Sequence, residues 1–599
     1  MDEKQKKIVI KDYYDSSEGA IIWNENKEEK NCISVLNFLE HNSDIIKKEY
    51  HNIINNIENI NLKTKKLYEE LYIVKNFSSL WSSDFFEKSI YKNPSIILQL
   101  KLIALNKILK KINPEKVLLH VESDEEKHCI ILLCKKLNIN FSLNSKNLSS
   151  VSKIYLSIFA VFSFIKFFKF LYERLSFKKI NFKKIKNLKN TNLFVSYSAY
   201  TDHKKIRNGK FDSSYWKPII NNEKLFKNTV WCNIYFNQKN TSINKQIKNL
   251  KNLNTENNYF FFLEQLFDLK IFFCVIFFWF RNLSKAKTLI TSINSYLKNI
   301  DCEYLKNLIT KDFLNSFIGI ESFSNYYYFF LFQKLSKNNL EFNKIFYLFE
   351  NQGWEKSLIF NFKKKSKLYA VNHASIRYWD LRFYYNSNLK DELVPDYYAV
   401  NGEDSLKKLI DENFPYAKLI KLEALRYYSL MSEINSFKTI NFKKKKILLV
   451  TDYQDVSNNN LLKALRNLNK EVKDKFKFTV KEHSLKKFSP QNINYERSNL
   501  ELKELRNSHD IAIVTNTTSA IIDLNILDFY VISILDKKSI NLSPMRNNKN
   551  ILFINDYSKI SKILMNPEKY YSTKNLVKDY FYYDKNLTKW KDVLIYASK

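Results

Sequence analysis

Apolar residues along this chain recur in two rhythms, short continuous runs and stretches with apolar positions every three to four residues. Their alternation is the pattern of a parallel α/β sheet. Ile345–Phe349 and Leu368–Val371 read as strands, with helical spacing at Trp354, Leu358, Ile359 and Phe362 between them. Pro395–Gly402 and Leu419–Leu422 continue the series. Ile447–Thr451, Phe478–Lys481, Ile511–Val514, Tyr530–Leu535 and Ile551–Ile554 repeat it with helices over Asn460–Phe476 and Ala520–Leu527, a Rossmann-like alternation. Upstream, Val117–Val121, a helix over Glu126–Leu137, and Ile139–Leu143 form a β–α–β unit. Leu193–Tyr197, Thr229–Phe236 and the short Phe317–Ile320 add strands, and residues 1–75 read as helical, heptad-like near Ile46–Ile73.

Two segments break the rhythm. Ile154–Ile165 and Ile271–Phe280 are almost wholly apolar, are flanked by lysine or arginine, and fall short of the roughly 20 apolar residues a spanning helix needs. They read either as buried core helices or as helices lying in a membrane interface. The pattern divides the chain into a helical segment (1–75), a Rossmann-like domain (76–432) with apolar insertions near 150–190 and 259–300, and a second Rossmann-like domain (433–599). The polar connector Ser432–Lys446 marks the last boundary.

In open parallel sheets ligands bind outside the carboxyl ends of the strands, so polar residues there are the candidates for chemistry. Glu350 and His373 end consecutive strands and suit a general base and an imidazole facing one cleft; Glu350 could equally brace its own turn through loop N–H groups. Glu355 and Asp380 are competing carboxylates. Arg377 and Arg382 suit an anionic ligand or ion pairs with those acids. In the last domain Lys481 and His483 end one strand, and Asn516, Thr517, Thr518 and Ser519 stand at a strand-to-helix junction. Such a junction binds phosphate or simply caps its helix, and the lysine and imidazole suit a phosphate leaving group.

Composition narrows this. The formal charge is +35, from 97 basic and 62 acidic residues. Phosphorylated substrates, an anionic membrane surface or nucleic acid could each explain it, as could lysine enrichment spread over the surface. No nucleic-acid-binding motif supports that partner. With only five glycines there is no Gly-rich phosphate loop. The six cysteines form no CxxC, and there is no Asp-x-Asp, so no metal site is expected. The N-terminus lacks a signal-peptide apolar core, which points to a cytoplasmic location, with the inner membrane face as a further option.

Glu350-Asn351-Gln352-Gly353-Trp354-Glu355-Lys356, His373 through Arg382, Pro395-Asp396 with Asn401-Gly402, and Asn541-Leu542-Ser543-Pro544 resemble landmarks of the bacterial surface carbohydrate (O-antigen and capsule) biosynthesis proteins. The resemblance spans roughly residues 75–565. It implies a GT-B architecture, two Rossmann-like domains facing across a cleft. It also implies a glycosyltransferase that needs neither cofactor nor metal and takes a nucleotide-activated sugar, with a glycan or lipid-linked acceptor. It places Asn401, Gly402 and Gly353 in the cleft and Asn541 and Ser543 at the donor. GT-B sialyltransferases carry an acid before a glycine, a His-Pro pair and a Ser/Thr cluster. Glu350 with Gly353, His483 and Thr517-Thr518-Ser519 are similar in order. By that likeness Glu350 is the base, His483 assists a departing CMP phosphate, and the hydroxyl cluster binds it. Ser484 stands where the pair has proline. The alternatives are a CDP-glycerol-type polyol-phosphate transferase and a non-catalytic carbohydrate-assembly or nucleic-acid-binding protein.

Overall fold

A computed structural model describes residues 7–595 except 15–18, 27–31, 144–153, 178, 189, 237–241, 339, 433–439, 441, 443, 484–485 and 571–579. Most of the Ser432–Lys446 connector therefore lies outside the described residues.

Three parallel sheets of five, seven and six strands carry the fold. In each, the first strand in sequence lies inside the sheet. The second and third extend to one side and the fourth onward to the other, the doubly wound order of a Rossmann fold. The central sheet runs from Thr191–Tyr197 through Thr229–Ile234 and Asn258–Phe262 on one side, and Phe342–Leu348, Lys367–Val371, Tyr397–Val400 and Leu419–Lys421 on the other. The C-terminal sheet pairs Lys446–Val450 with Lys477–Lys481 and with Ile511–Thr515, then adds Tyr530–Ile534 and Ile551–Ile554. These central strands are buried along almost their whole length, which is why they read as continuous apolar runs and not as alternating ones.

The third sheet corrects the reading of residues 1–75 as helical. Lys7–Lys11, Ala20–Ile22 and Cys32–Ser34 are strands, and Lys7–Lys11 pairs in register with Lys116–His120, followed by Asn140–Leu143. The β–α–β unit at 117–143 thus completes an N-terminal Rossmann-type sheet and does not join the central one. Strands this short carry almost no periodicity, and the strand that anchors them to the rest of the sheet, Lys116–His120, is about a hundred residues from Lys7–Lys11. Of the heptad-like stretch only Ser43–Asn56 is a long helix.

Other differences are local. Phe317–Ile320 is a junction between the helices Lys306–Ile318 and Ile320–Lys337, not a strand. The Asn460–Phe476 stretch is two helices, Asp455–Arg466 and Lys470–Lys475, the second capped by the Asn469 side chain. The second apolar segment opens the 31-residue helix Leu269–Asn299, part of the crossover between the third and fourth central strands.

The end of the chain leaves the C-terminal sheet and straps onto the central one. Tyr582 N–H donates to Asn401 O at 2.9 Å, and Trp590 packs near Phe346 and Trp216 while its indole N–H donates to Glu423 O. At the crossing a Cβ on Gly402 would lie 1.8 Å from Tyr580 O, so only glycine lets the two backbones touch. Gly353 plays the same part against Ser82 O, at 2.1 Å. Gly402→Ala should cost about 1–3 kcal/mol, seen as a lower urea midpoint with an unchanged slope.

Candidate active site

In a doubly wound sheet the crevice opens where the strand order reverses. In the central sheet that point lies between Thr191–Tyr197 and Phe342–Leu348, followed by Tyr200 and by Glu350. In the C-terminal sheet it lies between Lys446–Val450 and Ile511–Thr515, followed by Asp452-Tyr453-Gln454 and by Asn516-Thr517. The two crevices meet. A cavity of about 220 Å³ is lined by Glu350, His373, Arg377 and Arg382 on one wall and by Tyr453, Gln454 and Thr517 on the other.

The two carboxylates at the first crevice divide the work. Glu355 is buried, and its Oε1 accepts the N–H groups of Glu350 and Gln352, each at 3.0 Å. The turn-bracing alternative for Glu350 therefore falls to Glu355. Burial pushes the Glu355 carboxyl up to about 8, against the pull of those two N–H groups. The Glu350 carboxylate faces the cavity, held by side chains alone: Tyr200 O–H at 3.3 Å, the Gln352 amide, and Arg382 Nη1 at 3.6 Å. His373 Nε2 lies 3.4 Å from Glu350 Oε1. Burial, outweighing Glu350, drops the His373 imidazole to about 4, so it is neutral at pH 7. Its Nδ1 and the Asn372 side-chain nitrogen are buried with no hydrogen-bond partner among the described residues. Buried polar atoms are normally satisfied, so two orphans in residues lining one cavity mark a place for a ligand.

The arginines differ. Arg382 donates from Nε and Nη2 to the two Asp380 oxygens at 2.8 and 2.6 Å, so this pair is internally neutral. Arg377 crosses the cleft, its Nη1 donating to Thr517 O at 2.9 Å and Leu542 O at 3.0 Å. With His373 neutral and Arg382 paired, Arg377 is the cation of this wall without an acidic partner among the described contacts.

On the opposite wall the Thr517 hydroxyl donates to Asp452 and lies 2.7 Å from Ser457 Oγ. Thr518 Oγ1 accepts the Ala520 N–H, the capping alternative, and Ser519 Oγ accepts from Arg426 at 3.3 Å. Asn516 Oδ1 is buried without a partner among the described residues. Two expected donor residues point elsewhere: Lys481 Nζ is bonded to the carbonyls of Asn499 and Leu500, and Asn541 lines a separate cavity of about 320 Å³ shared with Glu40 and Arg546. Ser543 is buried and accepts the Met545 N–H. The His483 ring packs 5.9 Å from the Tyr453 ring rather than lining the cavity. Asn401 accepts from Ser405, and with Gly402 it serves the C-terminal strap.

Sequence reasoning missed Tyr200, Asn372, Asp452 and Arg426. Asp452 follows a recognised strand, and the strand-end rule used for Glu350 could have found it. Tyr200 and Arg426 lie a few residues past the recognised strands Leu193–Tyr197 and Leu419–Leu422, in loops where that rule does not choose among residues. Among the described residues no group of His, Cys, Asp and Glu is arranged to hold a metal ion.

No family model matches the chain, and no curated protein does. Among solved structures it is similar to the UDP-GlcNAc 2-epimerase of Methanocaldococcus jannaschii, with TM-score 0.37 and 11% identity over 68% of this chain and 99% of that one. The Neisseria meningitidis UDP-GlcNAc 2-epimerase bound to UDP-GlcNAc gives 0.33 and 12%, over 65% and 95%. Anabaena Alr3699/HepE in complex with UDP gives 0.33 and 9%, over 63% and 90%. Likenesses this distant carry no argument about the site; the fold rests on the strand orders above.

The raised Glu355 carboxyl makes stability pH-dependent. The native state keeps a proton that the unfolded chain, near the ordinary value of 4.5, gives up. The contribution is complete below about 4.5 and is lost as pH rises toward 8. Glu355→Gln, whose amide oxygen can still accept both N–H groups, should flatten the unfolding free energy relative to wild type across that window in urea titrations. Parallel curves would show that Glu355 does not titrate there.

Proposed function

We propose that the chain is a glycosyltransferase of GT-B type, which moves a sugar from a nucleotide-activated donor, of which a CMP-linked acidic sugar is one form, to a surface polysaccharide or lipid-linked glycan. The observation that carries this reading is the Glu350 carboxylate, relieved of its turn by Glu355 and turned into a cavity between two Rossmann crevices.

In the proposed reaction the acceptor hydroxyl oxygen forms a bond to the anomeric carbon. The bond from that carbon to the donor phosphate oxygen breaks, and the nucleotide leaves with the electron pair. The hydroxyl proton passes to Glu350. Tyr200 and Arg382 orient the carboxylate. Neutral His373, with an unsatisfied ring nitrogen, and Asn372 are the groups that would meet sugar or acceptor hydroxyls. Arg377 and the Thr517 hydroxyl would meet the leaving phosphate, and His483, packed on Tyr453, is the further candidate for it. The Lys481 ammonium, spent on loop carbonyls, is not given a part.

Glu350→Gln should lower transfer by about a hundredfold or more with an unchanged melting curve; wild-type turnover in that variant would remove Glu350 from the mechanism. A thermal-shift screen against CMP, CDP, UDP and GDP should give a rise for one nucleotide, since a ligand bound only to the native state stabilises it. Label transferred from CDP-glycerol but from no nucleotide sugar would replace this reading with a polyol-phosphate transferase.

A further inference from the structure

The helices Ile154–Arg174 and Leu269–Asn299 lie side by side, with Phe164 5.4 Å from Trp279 and Phe167 6.4 Å from Phe272 between ring centroids. Their inner faces are core: Phe167 stacks on Phe323 at 4.1 Å, and Trp279 is buried. Their outer faces are not polar. On the first helix Val161, Phe162, Ile165, Phe168 and Tyr172 fall on one stripe and are 47 to 76% exposed. On the second, Leu269, Phe273, Phe277 and Phe280 follow the same helical spacing at 51 to 74%. Past Arg281 that stripe turns polar, with Ser284, Lys287 and Thr288 exposed. A helix facing water is normally polar on its outer side, and one that is apolar all round is covered by protein or lipid. Contiguous apolar patches of this kind mark interaction surfaces.

We infer that this two-helix face seats the protein on the surface of an anionic lipid bilayer. Charge selects lipid over a second copy of the chain. Lys166 and Lys169 stand exposed within or beside the first stripe and Lys270 beside the second, while the short helix Phe182–Lys186, soon after the first, exposes Lys183, Lys184 and Lys186. A twofold contact through this face would bring like charges together, whereas phosphate headgroups would meet them and acyl chains would take the phenylalanines. Among the described residues no helix is long and apolar enough to cross a membrane, so the geometry is that of a surface-lying platform. The inference stands apart from the catalytic reading, although an enzyme serving a lipid-linked acceptor would gain from it.

The test is sedimentation of the full chain with vesicles of phosphatidylglycerol and phosphatidylcholine at low and high salt, with light scattering for oligomeric state. The wild type should bind the phosphatidylglycerol-containing vesicles, and less so in high salt. Phe162→Ser with Phe277→Ser should lower partitioning about tenfold or more. Lys166→Gln with Lys169→Gln should lower it about tenfold on anionic vesicles. All four side chains are exposed, so both variants should keep the wild-type melting transition and any nucleotide-induced shift, which separates this inference from the proposed activity. No binding to anionic vesicles, equal binding to phosphatidylcholine alone, or a wild-type dimer dissolved by the phenylalanine variant would overturn it.

Discussion

The site depends on the Arg377 guanidinium reaching from the central domain to two carbonyls of the C-terminal one. Thr517 O lies just past the strand Ile511–Thr515 and Leu542 O in the loop between Tyr530–Ile534 and Ile551–Ile554, and each accepts from Arg377 Nη1. One planar cation satisfying both fixes how closely the two crevices approach. The C-terminal strap acts in the same sense, because the Tyr580–Tyr582 segment crosses the central sheet at Gly402 with no room for a side chain. Together they hold Glu350 opposite Thr517 across the cavity.

Within that frame the electrostatics are sparing. Asp380 neutralises Arg382, burial keeps His373 uncharged, and Glu355 is turned inward onto its own turn. What remains facing the cavity is one carboxylate near a neutral imidazole and one arginine near a hydroxyl. In the proposed reaction the carboxylate would take the acceptor proton, and the arginine, which reaches across the cleft to Thr517 O, would stabilise the leaving phosphate.

Much of this was legible in the residues. Buried parallel strands are continuous apolar runs, so most of those of the central and C-terminal sheets could be read directly, although the apolar insertion near 259–300 absorbs Asn258–Phe262 and the largely exposed Tyr495–Arg497 is missed. The strand-end rule led to Glu350, His373 and Thr517. The rule failed where a side chain turns away from the edge, as Lys481 bends to Asn499 and Leu500; Asn541, placed at the donor by the resemblance alone, opens on another cavity. It also could not rank Glu350 against Glu355, since both are acids beside one glycine and only the N–H directions of the folded turn distinguish brace from base.

The sequence by itself determined the α/β class, the Rossmann-like rhythm of the C-terminal half and the set of polar residues at strand ends, because those follow from local periodicity and from where apolar runs stop. Tertiary structure alone decided the first three strands of the N-terminal sheet, which are three to five residues long with no period of their own and are tied through Lys7–Lys11 to Lys116–His120. It alone decided that the two apolar segments form one exposed face, since burial on one side and exposure on the other is a property of what packs against a helix and not of its composition. And it alone brought Tyr200, Asp452 and Arg426 to the cleft, because a parallel sheet places in one crevice residues that lie far apart along the chain.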